Sequence, residues 1–298
     1  MNKPQPTIGF IGLGSMGGPM ARNLLAAGYL VYGFDLDRER LATATAAGVR
    51  PLETIADLVA IATIIMTSLP SSQAFITVAE AELLPRVQAG QTVIDFGTTA
   101  LSKTRHLAAE FAAKGVGFVD APVSGGPGGV EQRQLYIFLG GDQATVKQHM
   151  ALFTAVGGPE RITYCGPAGA GQAVKGVNQL MMGLGNAAYL EAIAFGVNAG
   201  VDAETIQQAL GNTGRWRVDL HATAGQIVNG KGKEVGVKFR ELPYFLEAAE
   251  TLGFPLPLTE HLYNVCDEGE RVVIDDNRPA PSFWRELTQI AAAPTNNR

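Results

Sequence analysis

The chain has 298 residues, of which 46% are hydrophobic and 17% charged, with a formal net charge of -5. This length suits about two domains with cores of their own, and the acidic balance, without any basic run, excludes a nucleic-acid-binding face. Two distant cysteines, Cys165 and Cys266, and four scattered histidines have neither the pattern of a disulfide framework nor the spacing of metal ligands.

Met1 to Pro6 lead into a short apolar run that ends in glycines. There is no long apolar leader and no small-residue cleavage pattern, so a reducing, cytoplasmic setting is expected. β-rich runs then alternate with helical patterns. Thr7–Ile11, Leu30–Asp35, Ile61–Ser68, Thr92–Phe96 and Gly117–Val119 read as strands. Pro19–Ala27, Arg38–Ala47, Gln73–Leu84 and Leu101–Ala113 read as the helices between them. This order predicts an α/β domain with a parallel sheet covered on both faces. Two further strands, Leu135–Leu139 and Arg161–Tyr164, flank one more helix.

After Gly166 the β-rich runs become scarce, and helical periodicity continues almost to the end. The expected domains are therefore 1–165 and 166–298. A helix from about Ala168 to Val197 opens the second and spans roughly 45 Å. It is long enough to form both the domain junction and a dimer surface. Its apolar stretch from Leu180 to Val197 contains Asn186 and Glu191. It is expected to be a buried core helix, with no membrane partner. Pro255 and Pro257 separate two later helices.

Three segments carry candidate chemistry. Gly12-Leu13-Gly14-Ser15-Met16-Gly17 follows the first strand and opens a helix. In such a G-x-G-x-x-G turn the first glycine makes the tight turn and the second lets backbone approach a pyrophosphate. The third packs helix on strand, and the helix N-terminus offers free N–H groups to phosphates. Asp35 ends the second strand, where a ribose-binding acid belongs. A carboxylate there accepts from a ribose diol and repels a 2′-phosphate, so NAD is favoured over NADP. Arg38, three residues on, is the cation that would favour the phosphate. Asp35 is alternatively a helix N-cap, a role open to Asp37 as well.

Asp120-Ala121-Pro122-Val123-Ser124-Gly125-Gly126 closes a strand with a Ser-Gly-Gly turn. Consecutive backbone N–H groups in such a turn can bind a carboxylate, although taken alone the segment reads equally as a plain loop. Gly166 to Asn178 is a glycine-rich turn running into the long helix. It places Lys175 and Asn178 on one helix face. A lone helix lysine is ordinarily a solvated surface residue, so its setting decides what it does.

Taken in order, Gly9 to Gly17, Leu69-Pro70, Asp120 to Gly126 and Gly169 to Asn178 closely resemble the β-hydroxyacid dehydrogenase family over nearly the whole chain. That family includes 3-hydroxyisobutyrate dehydrogenase, tartronate semialdehyde reductase and relatives of 6-phosphogluconate dehydrogenase. The resemblance implies a Rossmann domain followed by an all-α domain, joined by the long helix, in a homodimer or homotetramer. It implies hydride transfer between NAD(P) and a small 3-hydroxy acid. Ser124, Gly125 and Gly126 would cradle the substrate carboxylate. Lys175 would be the general acid/base with Asn178 beside it, and Leu69, Pro70 and Thr98 would contact the cofactor. As a base, lysine needs a pKa below its usual 10.4, and partial burial acts in that direction.

Departures from the family pattern cluster around the substrate. They are Arg133-Gln134-Leu135, Arg215-Trp216-Arg217, Arg240-Glu241, the shortened stretch Asn229 to Val237, and Gly97-Thr98. Arg215 or Arg240 is expected to reach substrate or cofactor, with a preference for a second anionic or hydroxyl-rich group. Alternatively both are surface ion-pair partners. An imine reductase shares the architecture, but the resemblance implies an acid or tyrosine there in place of the lysine. A non-catalytic dinucleotide-binding scaffold or sensor would be expected to lack the lysine or the cradle, and both are present.

Overall fold

The computed structural model describes residues 6–231, Val235 and residues 241–265. The chain divides into two compact units between Gly176 and Val177.

The first unit contains strands β1 (Thr7–Ile11), β2 (Leu30–Phe34), β3 (Arg50–Pro51), β4 (Ile64–Thr67), β5 (Thr92–Asp95), β6 (Gly117–Asp120), β7 (Val123–Ser124), β8 (Tyr136–Gly141) and β9 (Ile162–Gly166). Its helices are α1 (Gly17–Ala26), α2 (Arg38–Ala46), α3 (Ile55–Ile61), α4 (Ser72–Val78), α5 (Leu101–Ala113), α6 (Gly126–Glu131), α7 (Gln143–Gln148) and α8 (Met150–Gly157). The long helix α9 (Ala170–Asn198) also begins here. The sheet order is β3-β2-β1-β4-β5-β6-β8-β7, with β9 beside β8.

The strands are buried on both faces, as parallel strands between helical layers must be. Ile8, Phe10, Ile64, Met66, Ile94 and Val119 point into one apolar cluster. Their neighbours Ile11, Ile65, Val93 and Phe118 point into another. This period of two assigns each face its own core. From β1 the chain winds outward to β2 and β3, then crosses back to β4 and continues to β6. The direction of winding therefore reverses between β1 and β4, and ligands of open α/β sheets bind at such a switch point.

Three expectations are corrected in this unit. The sheet is not wholly parallel, because β8 runs antiparallel to β6 and β7. The chain reaches β8 through β7 and the short helix α6, and β7 and β8 pair as antiparallel neighbours across that turn. The strand expected over Ile61–Ser68 covers only Ile64–Thr67, because Ile61 ends α3. Thr54 caps that helix by accepting from the Asp57 N–H at 3.1 Å, and its hydroxyl donates back to the Asp57 carboxylate. The single helix expected after β8 is two helices, α7 and α8, which meet at His149.

Among the described residues the second unit is helical: the rest of α9, α10 (Ala203–Leu210), α11 (Arg215–Val228), α12 (Leu242–Leu252) and α13 (Pro257–Val265). Leu190 and Ile193 of α9 pack with Leu220, Ala224 and Ile227 of α11 to form its core. Asp202 caps α10 through the Thr205 N–H at 2.8 Å. Gly253 closes α12 in the left-handed conformation.

α9 is not the buried core helix expected. Only 22% of an 18-residue apolar window within it is buried, and Val177, Met181 and Phe195 are exposed. Apolar residues lie on its exposed face, as at Met181 and Phe195, as well as on its buried one, as at Leu190 and Ile193.

Candidate active site

The turn after β1 has the shape a dinucleotide needs. The Gly12 N–H donates to the Phe34 carbonyl at 3.0 Å, and Gly12 takes φ +88°, a region that L side chains avoid. A Cβ on Gly17 would collide with the Gly12 carbonyl oxygen, so only glycine lets α1 start this close to the strand. Gly14 meets only the Arg40 guanidinium, 3.2 Å from where its Cβ would be. Leu13 and Gly17 are buried, Met16 is half-buried and Ser15 is exposed.

Asp35 follows β2 half-buried. Its Oδ2 accepts from the Leu13 N–H at 2.6 Å and its Oδ1 from the Asp37 N–H at 2.8 Å. The N-cap of α2 is Asp37, which accepts from Glu39 and Arg40. Asp35 is thus left facing the glycine turn. Arg38 pairs with Glu53 at 2.9 Å, both highly exposed. Arg40, which pairs with Asp37 at 3.1 Å, is the cation beside the turn. Leu69, on the loop after β4, lies 3.0 Å from the position of a Gly12 Cβ, while Pro70 is exposed.

Sequence reading gave no role to two buried acids, Asp95 and Asp120, which close β5 and β6. A detectable mark existed, since charged residues ending apolar strands are rarely fully buried without partners. Asp95 accepts from Thr67 Oγ1 at 2.8 Å, Thr99 Oγ1 at 2.8 Å and the Gly97 N–H at 3.0 Å. It thereby holds the loop that carries Thr98. Burial pushes its carboxyl from 3.8 up to about 6, against the pull of these hydrogen bonds.

This shift has a stability consequence. The folded state keeps a proton that the unfolded chain releases near 3.8. The favourable contribution of Asp95 is therefore full below that pH and is lost as pH climbs to about 6, a loss of about 3 kcal/mol. Urea unfolding of the native chain and of Asp95→Asn between pH 4 and 7 should show the gap between them changing by about that amount. A pH-independent gap would refute it.

Asp120 joins β6 to α9. Its Oδ1 accepts from the Gly169 N–H at 2.8 Å and its Oδ2 from the Gln172 N–H at 3.0 Å. A carboxylate at a helix N-terminus satisfies donors that the helix cannot. Burial raises its pKa, while the same N–H bonds oppose the rise. One turn further along α9, Lys175 is only 8% exposed. Its Nζ donates to the Val123 carbonyl at 2.9 Å, the residue before Ser124. The structure therefore brings Lys175 to the Ser-Gly-Gly segment. That segment is more than a turn: Ser124 ends β7, Gly125 and Gly126 take φ +131° and +62°, and Gly126 opens α6.

In the second unit, Asn178 donates to Gln179 Oε1 at 3.0 Å and to Met182 Sδ at 3.4 Å. It lines a cleft of about 610 Å³ between α9 and α11, walled also by Gly185, Tyr189, Asp219, Thr223 and Gln226. Tyr189 Oη donates to Asp219 at 3.3 Å, and burial first, then Asp219, raises the tyrosine pKa. Gln179, four residues after Lys175 and 7% exposed, is a buried amide that the sequence reading passed over. Arg215 stands exposed in the first turn of α11, one turn before Asp219. The Arg217 guanidinium stacks 4.6 Å from the Trp216 ring. Arg240 lies outside the described residues.

Residues 7–166 match the family described as the NAD binding domain of 6-phosphogluconate dehydrogenase. Residues 169–277 match the one described as NAD-binding of NADP-dependent 3-hydroxyisobutyrate dehydrogenase. A 2-(hydroxymethyl)glutarate dehydrogenase from Eubacterium barkeri is 33% identical over 96% of this chain and 97% of its own. The chain belongs to the β-hydroxyacid dehydrogenase family. As a member it is an oxidoreductase that acts on CH–OH donors with a nicotinamide dinucleotide. An NAD-dependent L-serine dehydrogenase from Pseudomonas aeruginosa is 34% identical over 72% of each chain. Among solved structures, the Mycobacterium tuberculosis 3-hydroxyisobutyrate dehydrogenase with L-serine superposes with a TM-score of 0.76. It is 24% identical over 97% of this chain and 100% of that one, which is a likeness of fold.

Proposed function

We propose that this β-hydroxyacid dehydrogenase interconverts a 2-substituted 3-hydroxypropanoate and its semialdehyde, with Lys175 as the general acid/base and NAD as the preferred cofactor. The observation that carries the reading is the buried Lys175, donating to the Val123 carbonyl beside Ser124. A buried ammonium beside a turn of consecutive backbone N–H groups is placed where an anionic substrate can meet it.

Ser124, Gly125 and Gly126 bind the substrate carboxylate. Lys175 takes the hydroxyl proton during oxidation and returns it during reduction, and its charge stabilises an alkoxide. Asn178 orients the same oxygen without adding charge. Gly12, Leu13, Gly14, Ser15, Met16 and Gly17 hold the pyrophosphate, with Arg40 beside them, and Asp35 holds the ribose. Leu69, Pro70, Thr98 and Arg240 are assigned to the rest of the dinucleotide. When bound, the dinucleotide supplies the hydride acceptor or donor.

The NAD preference is supported by Asp35, whose carboxylate faces the turn, and by Arg38, which is drawn off to Glu53. The kcat/KM with NAD is expected to exceed that with NADP by on the order of a hundredfold, and Asp35→Ser to narrow the ratio at least about tenfold. A ratio untouched by that change would refute the assignment.

The substrate class follows from the relatives' names. 2-(Hydroxymethyl)glutarate, L-serine and 3-hydroxyisobutyrate all carry a hydroxymethyl group on the carbon that bears the carboxylate. Arg215 is proposed to read a second carboxylate. The test is an NAD-linked assay of these three compounds, with Lys175→Ala as control. Arg215→Ala should lose more on the glutarate than on the two others, and equal losses would remove that role. Turnover of a cyclic imine alone would favour an imine reductase, and NAD binding without turnover a scaffold. Exposed apolar residues along α9 support a homodimer or homotetramer, and the cytoplasm is the proposed compartment.

A further inference from the structure

Gln172 is buried, with 2% of its surface exposed, and sits one helical turn before Lys175. Its side chain makes two bonds to one loop: Oε1 accepts from the Thr99 N–H at 3.2 Å, and Nε2 donates to the Gly97 carbonyl at 2.9 Å. Its backbone N–H donates to Asp120 at 3.0 Å. The far side of the same loop is held by Asp95 through Thr99 Oγ1 at 2.8 Å. One side chain therefore spans the loop after β5 and the first turn of α9. Each of its polar atoms has a partner, as a buried amide requires.

We propose that Gln172 is a positioning residue that makes the Gly97–Thr99 loop and the Lys175 turn of α9 move as one body, so that dinucleotide binding on the loop sets the lysine in place. The inference rests on the reading that Thr98 contacts the dinucleotide and Lys175 moves the proton. Lys175 follows Gln172 within one hydrogen-bonded turn, so a shift of the loop is passed to the ammonium through covalent and helical geometry, with no further contact needed. Asp120 and Asp95 hold the two ends, and Gln172 is the link between them.

The test is amide hydrogen exchange of the full chain with and without NADH. In the native chain NADH is expected to slow exchange at Gly97–Thr99 and, together with it, at Ala173–Lys175. In Gln172→Met, which keeps the size and loses both bonds, protection of the helix turn is lost and the Kd for NADH rises about tenfold. If NADH leaves Ala173–Lys175 of the native chain unprotected, or protects it equally in Gln172→Met, the proposal is overturned. The first outcome needs no variant to fold. Because no turnover is measured, failure of the Lys175 role would appear only in the Lys175→Ala assay.

Discussion

Lys175→Ala is expected to lower kcat for hydroxy-acid oxidation by about a thousandfold, within the range of a lost general acid/base. NADH affinity should stay within about twofold, since the residue's work lies in the transition state. Stability provides an independent check. The native ammonium is buried, with its Nζ on the Val123 carbonyl. Its removal ends a desolvation cost and takes a donor from that carbonyl. Loss of the buried methylene stem adds a packing cost, so the unfolding free energy should fall by about 1–3 kcal/mol. Steady-state kinetics and urea unfolding of one preparation separate the two. A variant that loses activity because it unfolds, or one that keeps full activity, would each contradict the assignment.

Gly171→Ala is expected to do the reverse, striking stability first. A Cβ there would collide with the Phe138 carbonyl oxygen and lie 2.8 Å from an Asp120 carboxylate oxygen and 3.0 Å from the Asp120 carbonyl. Two of these are backbone oxygens and the third is a carboxylate held by the Gly169 and Gln172 N–H groups, so α9 itself must shift. The expected cost is about 2–4 kcal/mol, at the upper end of overpacking effects. Lys175 would be carried off the Val123 carbonyl, so activity should fall even at temperatures where the variant is folded. Gly128→Ala is the control. That position lies inside α6 with open space around a Cβ, and the change should leave stability the same or raise it by about 0.5–1 kcal/mol. Thermal melts of the pair check both signs.

Much of the candidate site's geometry was legible because it depends on the backbone. Gly12 and Gly17 need the absence of a Cβ, and Asp35 needs only to end the strand beside them, so spacing pointed to all three as candidates. The alternation of β-rich and helical runs was equally direct, because two faces of buried strand leave continuous apolar segments. Other features were not readable in advance. Asp95 and Asp120 look like ordinary strand-end acids, and their partners lie as far as Gln172 in the chain. The reversal of β8 depends on its pairing with β7 across the α6 turn. The exposure of α9 depends on which of its apolar residues find neighbours in α11 and which do not.

The sequence by itself determined the α/β-then-helical architecture, the glycine turn with Asp35, and the family that the ordered motifs define. Each depends on local spacing or on residues a few positions apart. Only the tertiary structure decided that Asp37, not Asp35, caps α2, and that Lys175 is buried on the Val123 carbonyl. It alone showed that Gln172 and Asp120 tie that lysine's helix to two strand ends. The physical reason is common to these cases. A buried polar group is held by hydrogen bonds whose partners are chosen in space, and chain order does not record which strand end a helix will meet.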